Sequence, residues 1–135
     1  MRVLVFGGRD YKKHRVVRRT LSAIHAETPI TKIIEGGAKG ADRFGRFWAK
    51  YRGIEIETYE ADWFNMQAAI VVPRRNRFGD IYNAAAGNLR NMKMLKESEP
   101  DMAVEFPGGK GTADMRRLVQ KEIGRRGLRY LRIEE

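Results

Sequence analysis

Residues 102–123 read MAVEFPGGKGTADMRRLVQKEI. Met102–Phe106 is a short, nearly continuous apolar run, which is the pattern of a strand buried on both faces. Pro107-Gly108-Gly109 stops it. Thr112 is a residue type favoured at a helix N-cap. Met115, Leu118, Val119 and Ile123 then recur at helical spacing and form one apolar face. Gly127 ends that helix, and Leu128–Ile133 reads as a further strand. A buried strand, a Gly-rich turn, an amphipathic helix and a second strand make one unit of a parallel α/β sheet.

The same cadence runs back toward the N-terminus. Arg2–Phe6 is a short apolar strand stopped by Gly7-Gly8. Val16, Val17, Leu21 and Ile24 follow at helical spacing, with Arg15, Arg18 and Arg19 between them. Lys32–Glu35 is a second strand, stopped by Gly36-Gly37. Phe44, Phe47, Trp48 and Tyr51 mark a helix over Ala41–Tyr51, with Gly53 at its C-terminal end. Ile54–Tyr59 alternates apolar and charged residues as a third strand. A helix lies within Asp80–Lys96, beginning at Asp80 or at Gly87-Asn88, with Leu89, Met92 and Leu95 on one face. The expected fold class is α/β: a Rossmann-like three-layer sandwich with a mainly parallel five-stranded sheet in the order 3-2-1-4-5, its crossovers right-handed. The chain of 135 residues reads as a single domain, 1–135. Its one irregularity is a long excursion at about 64–82, which carries Arg74, Arg75 and Arg77 and reads as a lid, an oligomer contact, a specificity loop or a tolerated insertion.

Bulk properties limit the function classes. There is no cysteine, so disulfides and thiolate chemistry are excluded, and a cytoplasmic setting fits. The two histidines, His14 and His25, have no helical i, i+4 partner, so no metal and no cofactor is expected. The N-terminal apolar run breaks at Gly7-Gly8 without a cleavage pattern, and no stretch is long enough to span a bilayer, so no membrane partner is expected. The net charge of +10 favours anionic partners: nucleotides, and as a further class nucleic acid. The basic residues are spread along the chain, which also suits solvated helix faces. A homo-oligomer is compatible with everything above.

In a doubly wound sheet, ligands bind beyond the C-terminal strand ends, where the strand order reverses. Three turns lead from strands toward helices there: Gly7-Gly8-Arg9-Asp10, Gly36-Gly37-Ala38-Lys39-Gly40-Ala41-Asp42, and Pro107-Gly108-Gly109-Lys110-Gly111-Thr112. Glycine lets backbone N–H groups approach an anion, and a helix N-terminus adds a favourable dipole. No Gly-x-Gly-x-x-Gly follows the first strand. Lys110 is followed by Gly111, so the third turn is no Walker loop and ATPase action is not expected. Arg9 and Arg90 have the planar donor geometry of phosphate clamps. Glu35 and Glu105, at strand ends, suit a ribose hydroxyl, acid–base work or an ion pair. Asp42 and Asp114 stand in first helical turns and suit the helix dipole. Phe44 and Trp48 read as core, and Trp63 as a base cover or an edge packer.

Gly7-Gly8-Arg9-Asp10-Tyr11, Gly36–Asp42, Ala61-Asp62-Trp63, Ala86-Gly87-Asn88-Leu89-Arg90-Asn91 with Met94, and Phe106–Thr112 occur in that order. Together they resemble the YspA-like (DUF2493) small domains of the SLOG (SMF/DprA–LOG) superfamily, over nearly the whole chain. The resemblance implies a Rossmann-like fold and binding of a nucleotide or nucleotide-derived ligand, by a sensor or a sequestering protein. It assigns ligand contacts to Gly7, Gly8, Arg9, Asp10, Glu35, Gly36, Gly37, Gly40, Asp42, Arg90, Asn91 and the Pro107, Gly108, Gly109, Lys110, Gly111, Thr112 loop. Enzymatic relatives, the lonely guy phosphoribohydrolases, cleave the base from nucleoside 5′-monophosphates. They carry an Arg on a helix and a Pro-Gly-Gly-x-Gly-Thr loop followed by x-Glu-Glu. Arg90 matches that Arg, and Met94 the position downstream. Asp114 stands at the first Glu and Met115 at the second, so a needed carboxylate is missing. If the chain is an enzyme, it is a nucleotide N-glycosidase working through Arg90, Asp114 and Glu35. The DprA branch implies a third function, single-stranded nucleic-acid binding.

Overall fold

The computed structural model describes every residue, Met1–Glu135. Period-two alternation in the strands decides what each sheet face buries. In β1 (Arg2–Phe6), β2 (Lys32–Glu35) and β6 (Met102–Glu105), the residues Val3, Val5, Ile33, Met102 and Val104 point to one cluster. They meet Val17 and Leu21 of α1 (His14–Glu27) and Trp48 and Ala49 of α2 (Ala41–Arg52). The alternate residues Leu4, Phe6, Ile34 and Ala103 point to a second cluster. That cluster holds Met94 and Leu95 of α3 (Ala86–Ser98) and Met115 and Val119 of α4 (Lys110–Arg126). Both faces of the central strands are thus apolar, as a parallel sheet requires.

With β3 (Glu55–Thr58) and β7 (Arg129–Arg132), the sheet order is β3-β2-β1-β6-β7, all neighbours parallel. In form this is the expected 3-2-1-4-5 order. Order reverses between β1 and β6, where Val5 pairs with Val104 and Phe6 with Glu105. The C-terminal ends of these two strands therefore lie side by side.

Several expectations are corrected. The excursion is built rather than irregular: β4 (Pro73–Arg75) and β5 (Ile81–Asn83) form a separate antiparallel hairpin. Its periodicity is invisible in the sequence because most of its side chains are exposed and the one buried residue, Asn83, is polar. Helix α3 begins at Ala86, near the later of the two expected starts, because residues 81–83 are committed to the hairpin. Thr112 is not a cap. Helix α4 starts at Lys110 with Gly109 in the cap position, and Thr112 is buried under the loop with its hydroxyl against Gly108. The apolar faces are also narrower than their spacing suggests. Phe47, Tyr51, Met92 and Ile123 lie exposed, and α3 buries Asn91 and Met94 in place of Met92.

Candidate functional site

The first and third Gly turns touch. The Gly8 N–H donates to the Pro107 carbonyl at 2.9 Å. A Cβ on Gly8 would stand 2.8 Å from that same oxygen, so only glycine permits this approach. The second turn joins them from the other side. The Gly8 carbonyl accepts from Ala41 N–H and from Tyr11 N–H, each at 3.2 Å. Gly40 makes this contact with φ 73°, and a side chain there would collide with the Gly8 carbonyl oxygen. Gly8 is therefore the point where all three loops meet.

Above that junction two helices begin without side-chain caps. Neither Gly40 before α2 nor Gly109 before α4 supplies a capping side chain, and the first turn of α4 holds no acidic residue. A helix start leaves unsatisfied N–H groups and the positive end of its dipole. Gly108, Gly109, Lys110 and Gly111 are exposed, as are Arg9 and Asp10. A Cβ on Gly109 or Gly111 would meet nothing within 4 Å, so their glycines answer no packing need inside the protein.

The side chains behind the loops form two layers. Asp42, buried at the start of α2, accepts from the Gly36 N–H at 3.0 Å. Its carboxyl is pushed up to about 6, first by burial and then by the nearby Glu35, against the opposing pull of Arg90 and of backbone N–H donors. Arg90 reaches across from α3. Its Nη1 donates to the Gly36 carbonyl at 2.5 Å and to the Tyr59 carbonyl at 3.4 Å, and its Nε to Asn91 Oδ1 at 3.0 Å. Burial lowers its pKa, and Asp42 and Glu35 act to raise it. Arg90 thus holds the second loop as well as standing beside it. Asn91 in turn donates to Asp114 Oδ2 at 3.1 Å and to the Gly111 carbonyl at 3.4 Å, which ties α3 to the third loop.

The carboxylates are engaged. Glu35 is fully buried; its Oε1 accepts from Arg46 Nη1 at 2.6 Å and from Gly37 N–H at 2.9 Å, while its Oε2 has no partner. Glu105 is buried on the opposite face, where Arg116 grips it with Nε and Nη2 and the Tyr130 hydroxyl donates to it at 2.5 Å. Arg132 stands 3.5 Å away. Glu105 is a hub between β6, α4 and β7 rather than a loop residue. Asp114 is held by Asn91 and by Arg117 at 2.6 Å. Met115 is in the core. Trp63 packs over Gly87 at the start of α3, with its ring edge toward Tyr82 of the hairpin, so it pins the excursion to that helix.

Sequence reasoning does not single out Arg46, Tyr130 or Asn83. The Tyr130 contact follows from register: Arg132 pairs with Glu105, and Tyr130, two residues earlier on the same face, is its diagonal neighbour. Arg46 carries no such signal, since its pairing with Glu35 depends on how α2 lies on the sheet.

Comparison with known proteins gives one match. Residues 1–65 fit the YAcAr family, described as the YspA, cpYpsA-related SLOG family. This match supports a YspA-like SLOG domain. No curated protein and no solved structure matches it. The matched part of the chain includes the first two Gly turns and runs through Trp63. Arg90 and the Pro107–Thr112 loop lie beyond it, and the fold brings them to the matched loops. No helix is long and apolar enough to cross a membrane.

Proposed function

We propose that this SLOG domain binds the phosphate-bearing end of a nucleotide or nucleotide-derived ligand on its three joined Gly loops, as a sensor or sequestering module. The observation that carries this reading is the exposed, uncapped start of α4, which opens beside Gly8 at the reversal of strand order. Backbone N–H groups of 109–112 would hold phosphate oxygens, with Lys110 and Arg9 supplying charge from the exposed rim. Arg90 and Asp42 keep the second loop in place, and Asn91 keeps the third. Glu35 anchors the Gly36-Gly37 turn through one oxygen, and its other oxygen is an acceptor for a ligand hydroxyl that reaches beneath the turn.

Binding is favoured over N-glycoside hydrolysis because the carboxylates that hydrolysis needs are already committed. Asp114 is bonded on both oxygens, Glu35 lies in a buried ion pair, and Met115 fills the core where the hydrolase pattern has a Glu. Titration calorimetry of the full chain with AMP, GMP, CMP, UMP, ADP-ribose and cyclic nucleotides tests the reading. Saturable heat with at least one of them is expected, with no free base on chromatography of the incubated monophosphates. Absence of binding across the panel would overturn it, and release of base would replace it with the hydrolase.

A further inference from the structure

A cationic groove lies away from the Gly loops, between α1 and α2. Arg15, Arg18, Arg19 and Ser22 recur at i, i+3, i+4 and i+7, so they line one face of α1. Trp48, Tyr51 and Arg52 face them from the last turns of α2, across a cavity of about 450 Å³. Its floor is fixed. Trp48 is buried, and its indole N–H donates to Ser22 Oγ at 3.0 Å. Arg52 donates to the same oxygen at 3.1 Å and lies 5.5 Å above the Trp48 ring. Only Arg19 has a carboxylate partner, Glu135. Arg15 and Arg18 are exposed and make no ion pair, and Tyr51 is 89% exposed.

An unpaired row of guanidiniums is costly through mutual repulsion unless an anion meets it. From Arg15 to Arg52, which is bonded to Ser22 seven residues along α1, the row spans about 10 Å, more than one phosphate covers. A bare aromatic ring beside it is a stacking platform for a base that has left its duplex. We infer that the α1–α2 groove binds a single-stranded nucleic-acid segment, with Arg15, Arg18 and Arg52 on its phosphates and Tyr51 stacked on a base. A duplex keeps its bases stacked and an acidic peptide has none, so neither uses Tyr51.

Fluorescence anisotropy of the full chain with a labelled 20-nucleotide oligothymidylate tests this. Affinity is expected to fall as salt rises. The double variant Arg15→Gln/Arg18→Gln weakens binding at least tenfold and flattens the log–log salt slope by about 0.7 for each phosphate no longer neutralised. Tyr51→Ala, which leaves the charge unchanged, weakens it roughly 5- to 150-fold. All three side chains are exposed, and unchanged melting by circular dichroism shows that the variants fold. Gly109→Asp, in the third Gly loop, leaves oligonucleotide affinity within about twofold, because it adds one screened surface charge away from this groove. Wild-type affinity in both groove variants overturns the inference. So does equal affinity for a 20-base-pair duplex or for polyglutamate, which would mean unselective polyanion binding. A large fall in affinity in Gly109→Asp would move the oligonucleotide to the Gly loops and refute the groove.

Discussion

Burial moves the ionisation of Asp42 well away from that of the ordinary carboxyl. Its carboxyl titrates at about 6 in the fold against 3.8 for the ordinary group, chiefly because it is buried. The folded state therefore holds this proton more tightly than the unfolded chain. The stability it adds is fully present below about pH 4 and is lost as pH rises through about 6. Asp42→Asn keeps a carbonyl oxygen for the Gly36 N–H and cannot ionise. Denaturant melts from pH 4 to pH 8 should show the variant gaining on the wild type across this window, with the difference flat above it. Equal pH profiles for the two proteins would show that Asp42 is not the titrating group. Asn83 is a second buried polar residue behind the surface. Fully buried, it accepts from the Val72 and Ala85 N–H groups and donates to the Ile70 carbonyl at 2.9 Å, so one side chain secures the whole excursion. Truncation leaves several buried polar groups unmatched, each at about 1–3 kcal/mol. Asn83→Ala should lower stability by at least about 2 kcal/mol. It should also strip hydrogen-exchange protection from residues 63–85 while α1 and β1 keep theirs. Uniform loss over the chain would contradict that local role. Asp42 is named in sequence by its motif, as a first-turn acid and a ligand contact, but nothing there marks its shifted ionisation, and Asn83 reads as one more polar residue in an exposed stretch.

At the scale of elements, the Glu105 hub joins β6, α4 and β7. Tyr130 is pushed up to about 12, by burial first and by its hydrogen bond to Glu105 next. Its proton is thus held in the folded state, and the stability it lends is present below pH 10 and lost as pH rises toward 12. Tyr130→Phe should remove that alkaline loss, seen as a flatter melting profile between pH 9 and pH 12. Glu105→Gln leaves Arg116 and Arg132 facing each other without their anion. It should cost more stability than Glu122→Gln, whose partners Arg125 and Arg126 lie on one surface turn of α4. Comparable losses would show that the hub contributes no more than a surface pair. The elements themselves are largely legible. Lys32–Glu35 and the strand beginning at Met102 stand where their apolar runs put them, because the middle of a strand buried on both faces must be apolar. The hairpin is not legible, since exposure removes the pattern. Thr112 misleads because its hydroxyl serves packing under Gly108 instead of an N–H group.

For the whole molecule, the order of strands gives the glycines their meaning. Each Gly turn alone is a chain reversal. The β3-β2-β1-β6-β7 order sets the turns after β1 and β6 side by side, and Gly40 closes the third side on Gly8. The uncapped start of α4 then opens beside them, in a chain carrying a net charge of +10. Sequence motifs point to the participating residues, but contact between the loops depends on register and on the lie of α2, which no local pattern encodes. The fold also separates this edge from the α1–α2 groove, so the two proposed surfaces are tested independently. Gly109 isolates the claim about the loops. An added Cβ there meets no protein atom, and Asp is a favoured residue at the helix N-cap position it occupies. Gly109→Asp should therefore fold as well as the wild type while setting a carboxylate where a phosphate would sit. The deciding measurement is titration calorimetry of the wild type and Gly109→Asp with the tightest-binding nucleotide of the panel. The account predicts saturable binding to the wild type and at least tenfold weaker binding to the variant at equal melting temperature, whereas equal affinity in both proteins would contradict it.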